Sequence, residues 1–380
     1  MTGGFSTEFD NIDIRAFNLS NLRKVDPFLA LVILLLAITG FMVLYSTIRS
    51  ASLETPYYLT QMMFFPVGCL IAAVIMCTDY RFLISLAPFF YVALVGLLIA
   101  VHFWGFEAKG ATRWLDFGFF RLQPSEQSKL ALIFMLAWYF RTVGRKIESL
   151  PFFLLTFVIT AVPALLIFKQ PNLGTAATLG PITIAMLFVA GCKRKHLVGI
   201  IILGIIAAPF GWNQIEGYQK TRLTTFMDPS SDARGEGYHT TQSMITVGSG
   251  GLSGKGYMEG TQTYLSYLPE HHTDFIFSLL AEEWGFIGSV TVIGLFVLLF
   301  LRGLQYAHDS QDMTGALLAV GIVTLLAFHV FVNIAITLGI APVTGIPLPF
   351  LSYGRSFYLT TMMCMGVLLS VNSRKGMFQD

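Results

Sequence analysis

Leu268 to Gly288 reads LPEHHTDFIFSLLAEEWGFIG, with His271, His272 and Asp274 at the head of an apolar run and Glu282 and Glu283 inside it. A carboxylate so placed can take a proton as a general base, join the histidines on a metal, or cap the helix that the run predicts. Adjacent residues ligate a single ion poorly, which sets the metal reading aside. On these residues alone, helix capping is the bland account of Asp274, and an interfacial aromatic role that of the two histidines. Helical rise puts the two glutamates about 12–13 Å deeper, a depth that assigns them to the structure of a helix bundle.

Three further places put polar groups into apolar surroundings. In GATRWLDFGFFRLQPSEQSK, Glu126 and Lys129 stand one helical turn apart; they read either as an ion pair inside a bundle or as functional charges. KQPNLGTA begins with Lys169, whose bland reading is a snorkelling anchor. APVTGIPLPFLSYGRS, Ala341 to Ser356, carries three prolines and two glycines. It is either a tight connection or irregular backbone that lines a cavity. A fourth stretch, GSGGLSGKG, suggests a phosphate loop but fails the Walker pattern, because Ser249 and Gly256 occupy two of its defining positions. A nucleotide-driven pump therefore has no support.

These groups must be positioned by membrane helices. Of 380 residues 54% are hydrophobic and 12% charged, where soluble domains carry about 25% charged. The composition predicts an all-α integral membrane protein. A net charge of +2 gives no reason to invoke nucleic acid. Spans of roughly 20 apolar residues fall near 27–48, 60–78, 82–103, 125–140, 150–168, 175–191, 196–211, 274–301, 314–340 and 356–372, ten in all. The first is longer than the core of a signal peptide, so it is expected to stay as a span.

With the N-terminus inside, thirteen Lys and Arg fall in the inner segments against six in the short outer loops. That excess predicts both termini in the cytoplasm. Residues 1–26 form an N-terminal tail and 27–380 one polytopic domain, with 212–273 a large extracytoplasmic loop between spans seven and eight. Between Gly235 and Gly260 eight of 26 residues are glycine, freeing the backbone for close approach to a ligand or the membrane surface. That loop and the segment from Trp114 to Gln123 are expected to frame a substrate entrance. The four cysteines read as reduced packing residues.

RWLDFGFFRLQPSEQSK, KQPNLGTA, RLTTFMDPSSDARGEGYHTTQS, LPEHHTDFIFSLLAEEWGFIG and TGIPLPFLSYG occur in this order across the chain. In these blocks the sequence resembles the SEDS family of bacterial cell-wall proteins over essentially its whole length. GSGGLSGKGYMEGTQTYLSYLPEHHTDFIF resembles the elongation branch rather than the division branch. The resemblance implies a peptidoglycan glycosyltransferase of the inner membrane that polymerises lipid II into a nascent glycan strand during elongation. Its partner would be a class B penicillin-binding transpeptidase, and the family's essential acidic residue falls on Asp274. The candidate substrate-binding residues are Arg49, Arg113, Glu126, Lys129, Lys169, Arg222, Gln242, Lys255, His272 and Ser352. Arg49, Arg113, Arg222 and Lys129 are the candidate cations for the leaving pyrophosphate, alone or with a divalent cation, Mg2+ or Mn2+. Asn172 stands where family members carry Asp, and Arg355 and Phe357 interrupt a run of small residues. The competing reading is a lipid II flippase, which requires polar groups on both membrane faces; a pure scaffold would make Asp274 dispensable.

Overall fold

The computed structural model describes residues 17–49, 57–108, 111–116, 118, 121–211, 217–228, 232, 235–261 and 272–374. Thirteen α-helices are described. They are α1 (Pro27–Ser46), α2 (Tyr57–Cys77), α3 (Tyr80–Ser85), α4 (Ala87–Trp104), α5 (Pro124–Val143), α6 (Leu150–Phe168), α7 (Leu173–Val189), α8 (Arg194–Gly211), α9 (Gly217–Met227), α10 (Glu236–Ser249), α11 (Ile276–His308), α12 (Met313–Thr337) and α13 (Arg355–Ser373). The expected spans fall on these helices, the third divided between α3 and α4, and among the described residues seven helices are long and apolar enough to cross a membrane. The protein is an all-α integral membrane protein.

Burial divides the bundle into a centre and a rim. The apolar windows of α12 and α13 are 67% and 83% buried, whereas those of α2 and α4 are 22% buried. Outer faces carry Phe89, Phe103 and Trp104, all strongly exposed, as lipid-facing surface and an interfacial Trp require. Local chemistry sets several helix starts. Asp26 caps α1, accepting from Phe28 N at 2.9 Å ahead of Pro27, and Asp312 caps α12, accepting from Gly315 N at 2.7 Å.

At this end of the bundle carboxylates are paired across helices. Asp26 accepts from Arg302 Nε at 2.5 Å and from Tyr306, and Asp312 from Arg81 Nε at 2.9 Å and Tyr80 at 3.0 Å. Burial raises the Asp26 pKa, but the hydrogen bonds from Arg302 and Tyr306 outweigh it and hold it below the ordinary value of 3.8.

The structure shows three features that the sequence reading did not contain. The link between α4 and α5 is a three-stranded antiparallel sheet of β1 (Phe106–Ala108), β2 (Ala111–Asp116) and β3 (Arg121–Leu122). Asp116 closes its turn, accepting from Gly118 N at 2.8 Å and Arg121 Nε at 3.0 Å, and these bonds hold its carboxyl below the usual range.

Segment 212–273 contains two helices, α9 and α10. One face of α10 is buried through the hydroxyls of Thr240, Ser243 and Thr246. Ser243 Oγ lies 2.6 Å from Ser278 Oγ and donates to Thr337 O at 2.8 Å. A face of small hydroxyls gives no apolar period for sequence reading to detect.

The eighth span is broken. Gly285 takes φ 66°, ψ −163° inside α11, and the glycine-rich stretch after α10 fills the break. Lys255 N donates to Glu282 O at 3.0 Å, Gly256 N to Glu283 O at 3.1 Å, Phe286 N to Gly251 O at 2.9 Å and Ile287 N to Leu252 O at 3.1 Å. A Cβ on Gly254 would strike Glu283 O, and one on Gly285 would strike Gly254 N. The close approach that the glycines permit is thus to the chain's own backbone.

Candidate functional site

Asp274 occupies a turn just before α11. The N-cap of that helix is Phe275, one residue after Asp274, so the aspartate does not stand at the N-cap position. Asp274 is partly exposed, whereas Phe275 and the next turns are buried. Its Oδ2 faces Gly345, where an added Cβ would lie 3.9 Å away.

Three consecutive carbonyls of this turn are held by donors. Tyr353 N donates to His272 O at 2.9 Å, Ser352 Oγ to Thr273 O at 2.6 Å, and Asn333 Nδ2 to Asp274 O at 3.0 Å. Two of these donors belong to the APVTGIPLPFLSYG stretch. It is non-helical and largely buried, with Val343, Ile346, Leu348, Phe350, Leu351 and Ser352 enclosed. Irregular backbone survives at membrane depth only if its polar groups find partners inside the protein. Here Asn333 Nδ2 also donates to Ile346 O at 2.8 Å, Leu348 N to Ser352 Oγ at 2.8 Å, and Gln61 Nε2 to Ser352 O at 3.1 Å.

Beneath this segment lies a charged group in the bundle centre. Lys129 Nζ donates to Glu126 Oε2 at 2.7 Å and lies 3.1 Å from His329 Nε2. An ammonium only donates, so Nε2 accepts. The ring proton then sits on Nδ1, which donates to Pro347 O at 3.1 Å. Phe357 stacks on His329 with centroids 5.0 Å apart and lies 5.3 Å from the ammonium. One of the departures from the family pattern is therefore a lid over this pair. Asn172, the other, caps α7 by accepting from Thr175 N at 3.3 Å and donates to Ser125 Oγ at 3.4 Å.

Asp274, His272 and Ser352 meet in one place. The His272 ring stacks on Tyr57 with centroids 4.2 Å apart, and Tyr353 lies 4.5 Å from Tyr57, giving an aromatic group two residues from the carboxylate. Ser352 is built into the backbone rather than turned to a ligand. Arg113 clasps the turn between α6 and α7, its Nε donating to Gln170 O at 3.1 Å and its Nη2 to Pro171 O.

Lys169 is exposed at the end of α6. Arg222 lies on α9, and Gln242 on α10 beside Ser243. Lys255 is drawn away from Asp274, donating to Glu282 Oε1 at 2.7 Å and to Thr261 Oγ1 at 2.7 Å. Glu283 is buried on α11 beside Glu282. Arg49 ends the turn after α1, but its side chain, like all of His271, lies outside the described residues.

The glycine-rich part of the expected entrance, 250–256, is docked on α11, and the segment from Trp114 joins the sheet between α4 and α5. Among the described residues no three His, Cys, Asp or Glu side chains gather as a metal site.

Sequence reading missed Asn333 and His329. Their i,i+4 spacing in an otherwise apolar helix places them on one face, and intramembrane polar residues were the available signal.

A profile of the cell cycle protein family FtsW/RodA/SpoVE matches residues 27–376. The peptidoglycan glycosyltransferase MrdB of Escherichia coli (strain K12) is 41% identical over 295 residues, 77% of this chain and 79% of that protein. The peptidoglycan glycosyltransferase RodA of Treponema pallidum is 31% identical over 424 residues, covering 92% and 98%. Among solved structures, a chain of a peptidoglycan synthase complex that coordinates polymerization and crosslinking superposes with a TM-score of 0.80 at 30% identity, covering 94% of this chain and 99% of that one. The rod shape determining protein RodA of Thermus thermophilus superposes with a TM-score of 0.68 at 28% identity, covering 94% and 98%.

Proposed function

The chain belongs to the FtsW/RodA/SpoVE family, and from that premise we propose that it is a peptidoglycan glycosyltransferase that polymerises lipid II during cell elongation. The observation that supports a role for Asp274 is its setting: a partly exposed carboxylate on a turn whose three carbonyls are all held.

In this reading Asp274 accepts the proton of the acceptor N-acetylglucosamine 4-hydroxyl as its oxygen attacks the anomeric carbon of the donor. The bond from that carbon to the lipid pyrophosphate breaks on the opposite face, so the α-linked donor gives a β-linked product by single displacement. His272 and Tyr57 offer ring faces beside the carboxylate for a sugar. Lys129 is enclosed and committed to Glu126 and His329. Arg113 holds two carbonyls of the α6–α7 turn, and Arg49 and Arg222 are the other candidate cations for the departing pyrophosphate.

The chain resides in the bacterial inner membrane with both termini in the cytoplasm, by its Lys and Arg distribution. It works with a class B penicillin-binding transpeptidase, a reading supported by its likeness to a chain of a synthase complex that couples polymerization to crosslinking. The test is the purified chain, alone and with that partner, given lipid II and its products resolved by size. A ladder of glycan chains is expected. Transfer of lipid II across vesicles with no polymer under either condition would replace this reading by a flippase.

A further inference from the structure

We propose that Asn333 and Ser352 are positioning residues that aim the Asp274 carboxylate by holding its backbone; this rests on the polymerase reading above. At the start of helix α11, Ser278 N donates to Phe275 O at 3.1 Å. The carbonyls of the turn before it, at 272, 273 and 274, accept from Tyr353, Ser352 and Asn333, all distant in sequence. A carboxylate on an unheld turn would vary in backbone as well as side-chain torsions, and general-base catalysis needs it within hydrogen-bond reach of one hydroxyl.

The fixing comes from elsewhere in the chain. Asn333 uses both hydrogens of Nδ2, one on Asp274 O at 3.0 Å and one on Ile346 O at 2.8 Å. It thereby ties α12, the turn and the buried 341–354 segment together. Ser352 Oγ donates to Thr273 O at 2.6 Å while accepting from Leu348 N at 2.8 Å, so its hydroxyl closes the same segment onto the same turn. Asn333 and Ser352 are 0% and 1% exposed. Neither can reach a substrate sugar, and both act through Asp274. The segment is itself anchored to the bundle centre by His329 Nδ1 on Pro347 O, which makes the clamp a rigid frame rather than a lid.

The experiment compares kcat and KM for lipid II polymerisation by the full chain with its transpeptidase, in wild type, Asn333→Ala, Ser352→Ala and Ser352→Thr, alongside thermal unfolding of each. Misplacement of a catalytic group by about 1 Å can cost 10²-fold. Each alanine variant should therefore lose roughly 10–100-fold in kcat with KM within about two-fold. Ser352→Thr keeps the hydroxyl and should recover most of the loss. If Asn333→Ala does not accumulate as folded protein, the Ser352→Ala and Ser352→Thr pair decides. Near wild-type kcat in the folded alanine variants overturns the positioning role while leaving the polymerase reading intact. So does a kcat loss that follows unfolding temperature and is not restored by threonine. A wild-type complex that makes no glycan overturns the polymerase reading, and this inference with it.

Discussion

Lys129 Nζ lies 3.1 Å from His329 Nε2 at the fully buried centre of the bundle, where the same ammonium donates to Glu126 Oε2 at 2.7 Å. Removing one partner of such a pair leaves an enclosed charge uncompensated, at a cost of about 3–5 kcal/mol. Lys129→Met should therefore lower the unfolding temperature in detergent sharply. Adding Glu126→Met should restore most of it, because replacing both charges by apolar groups is often close to neutral. A double variant as unstable as the single would contradict this account of the pair.

Asp274→Asn keeps the side-chain shape but cannot accept the hydroxyl proton. Polymerisation should fall by about 10²–10⁴-fold while lipid II binding and unfolding temperature stay near wild type. A folded Asp274→Asn chain with near wild-type glycan synthesis would leave the aspartate without a chemical role.

The cluster of Asp26, Arg302 and Tyr306 predicts an acid limb of stability. The Asp26 pKa is depressed by its bonds to Arg302 and Tyr306, so its contribution is fully present above the unfolded value of about 4. It is lost as pH falls through the lower folded value. Unfolding temperature should therefore drop on acidification by more in wild type than in Asp26→Asn. Parallel acid limbs in the two proteins would rule the cluster out as a source of pH-dependent stability.

The glycine-rich stretch can be tested at Gly254, whose φ is +81° and whose Cβ would meet Glu283 O. Gly254→Ala costs about 1–2 kcal/mol for the left-handed backbone alone and must also displace the segment from the break in α11. Faster amide exchange at Lys255, Gly256, Phe286 and Ile287 is expected. Unchanged exchange at those four amides would mean that the docking does not depend on the missing side chain.

Sequence alone determined the class of the protein and the places of its long apolar helices, because apolar runs of spanning length and the i,i+3 spacing of Glu126 and Lys129 are local signals. It also singled out Asp274, through a resemblance carried by contiguous blocks. Composition could not say whether that aspartate caps a helix. That question turned on a start two residues later, at Ile276, with Phe275 as N-cap.

The tertiary structure decided the rest. Ser352 became a backbone clamp instead of a ligand contact, Lys255 went to Glu282, and the glycines of GSGGLSGKG met α11 rather than a substrate. Asn333 acquired its place only when α12 brought it against residues 59 positions earlier and 13 positions later. Hydrogen bonds between side chains and distant carbonyls leave no periodic trace in the sequence, since any polar side chain at the right point in space can make them. Only the packing of α11, α12 and the segment between α12 and α13 chose which ones did.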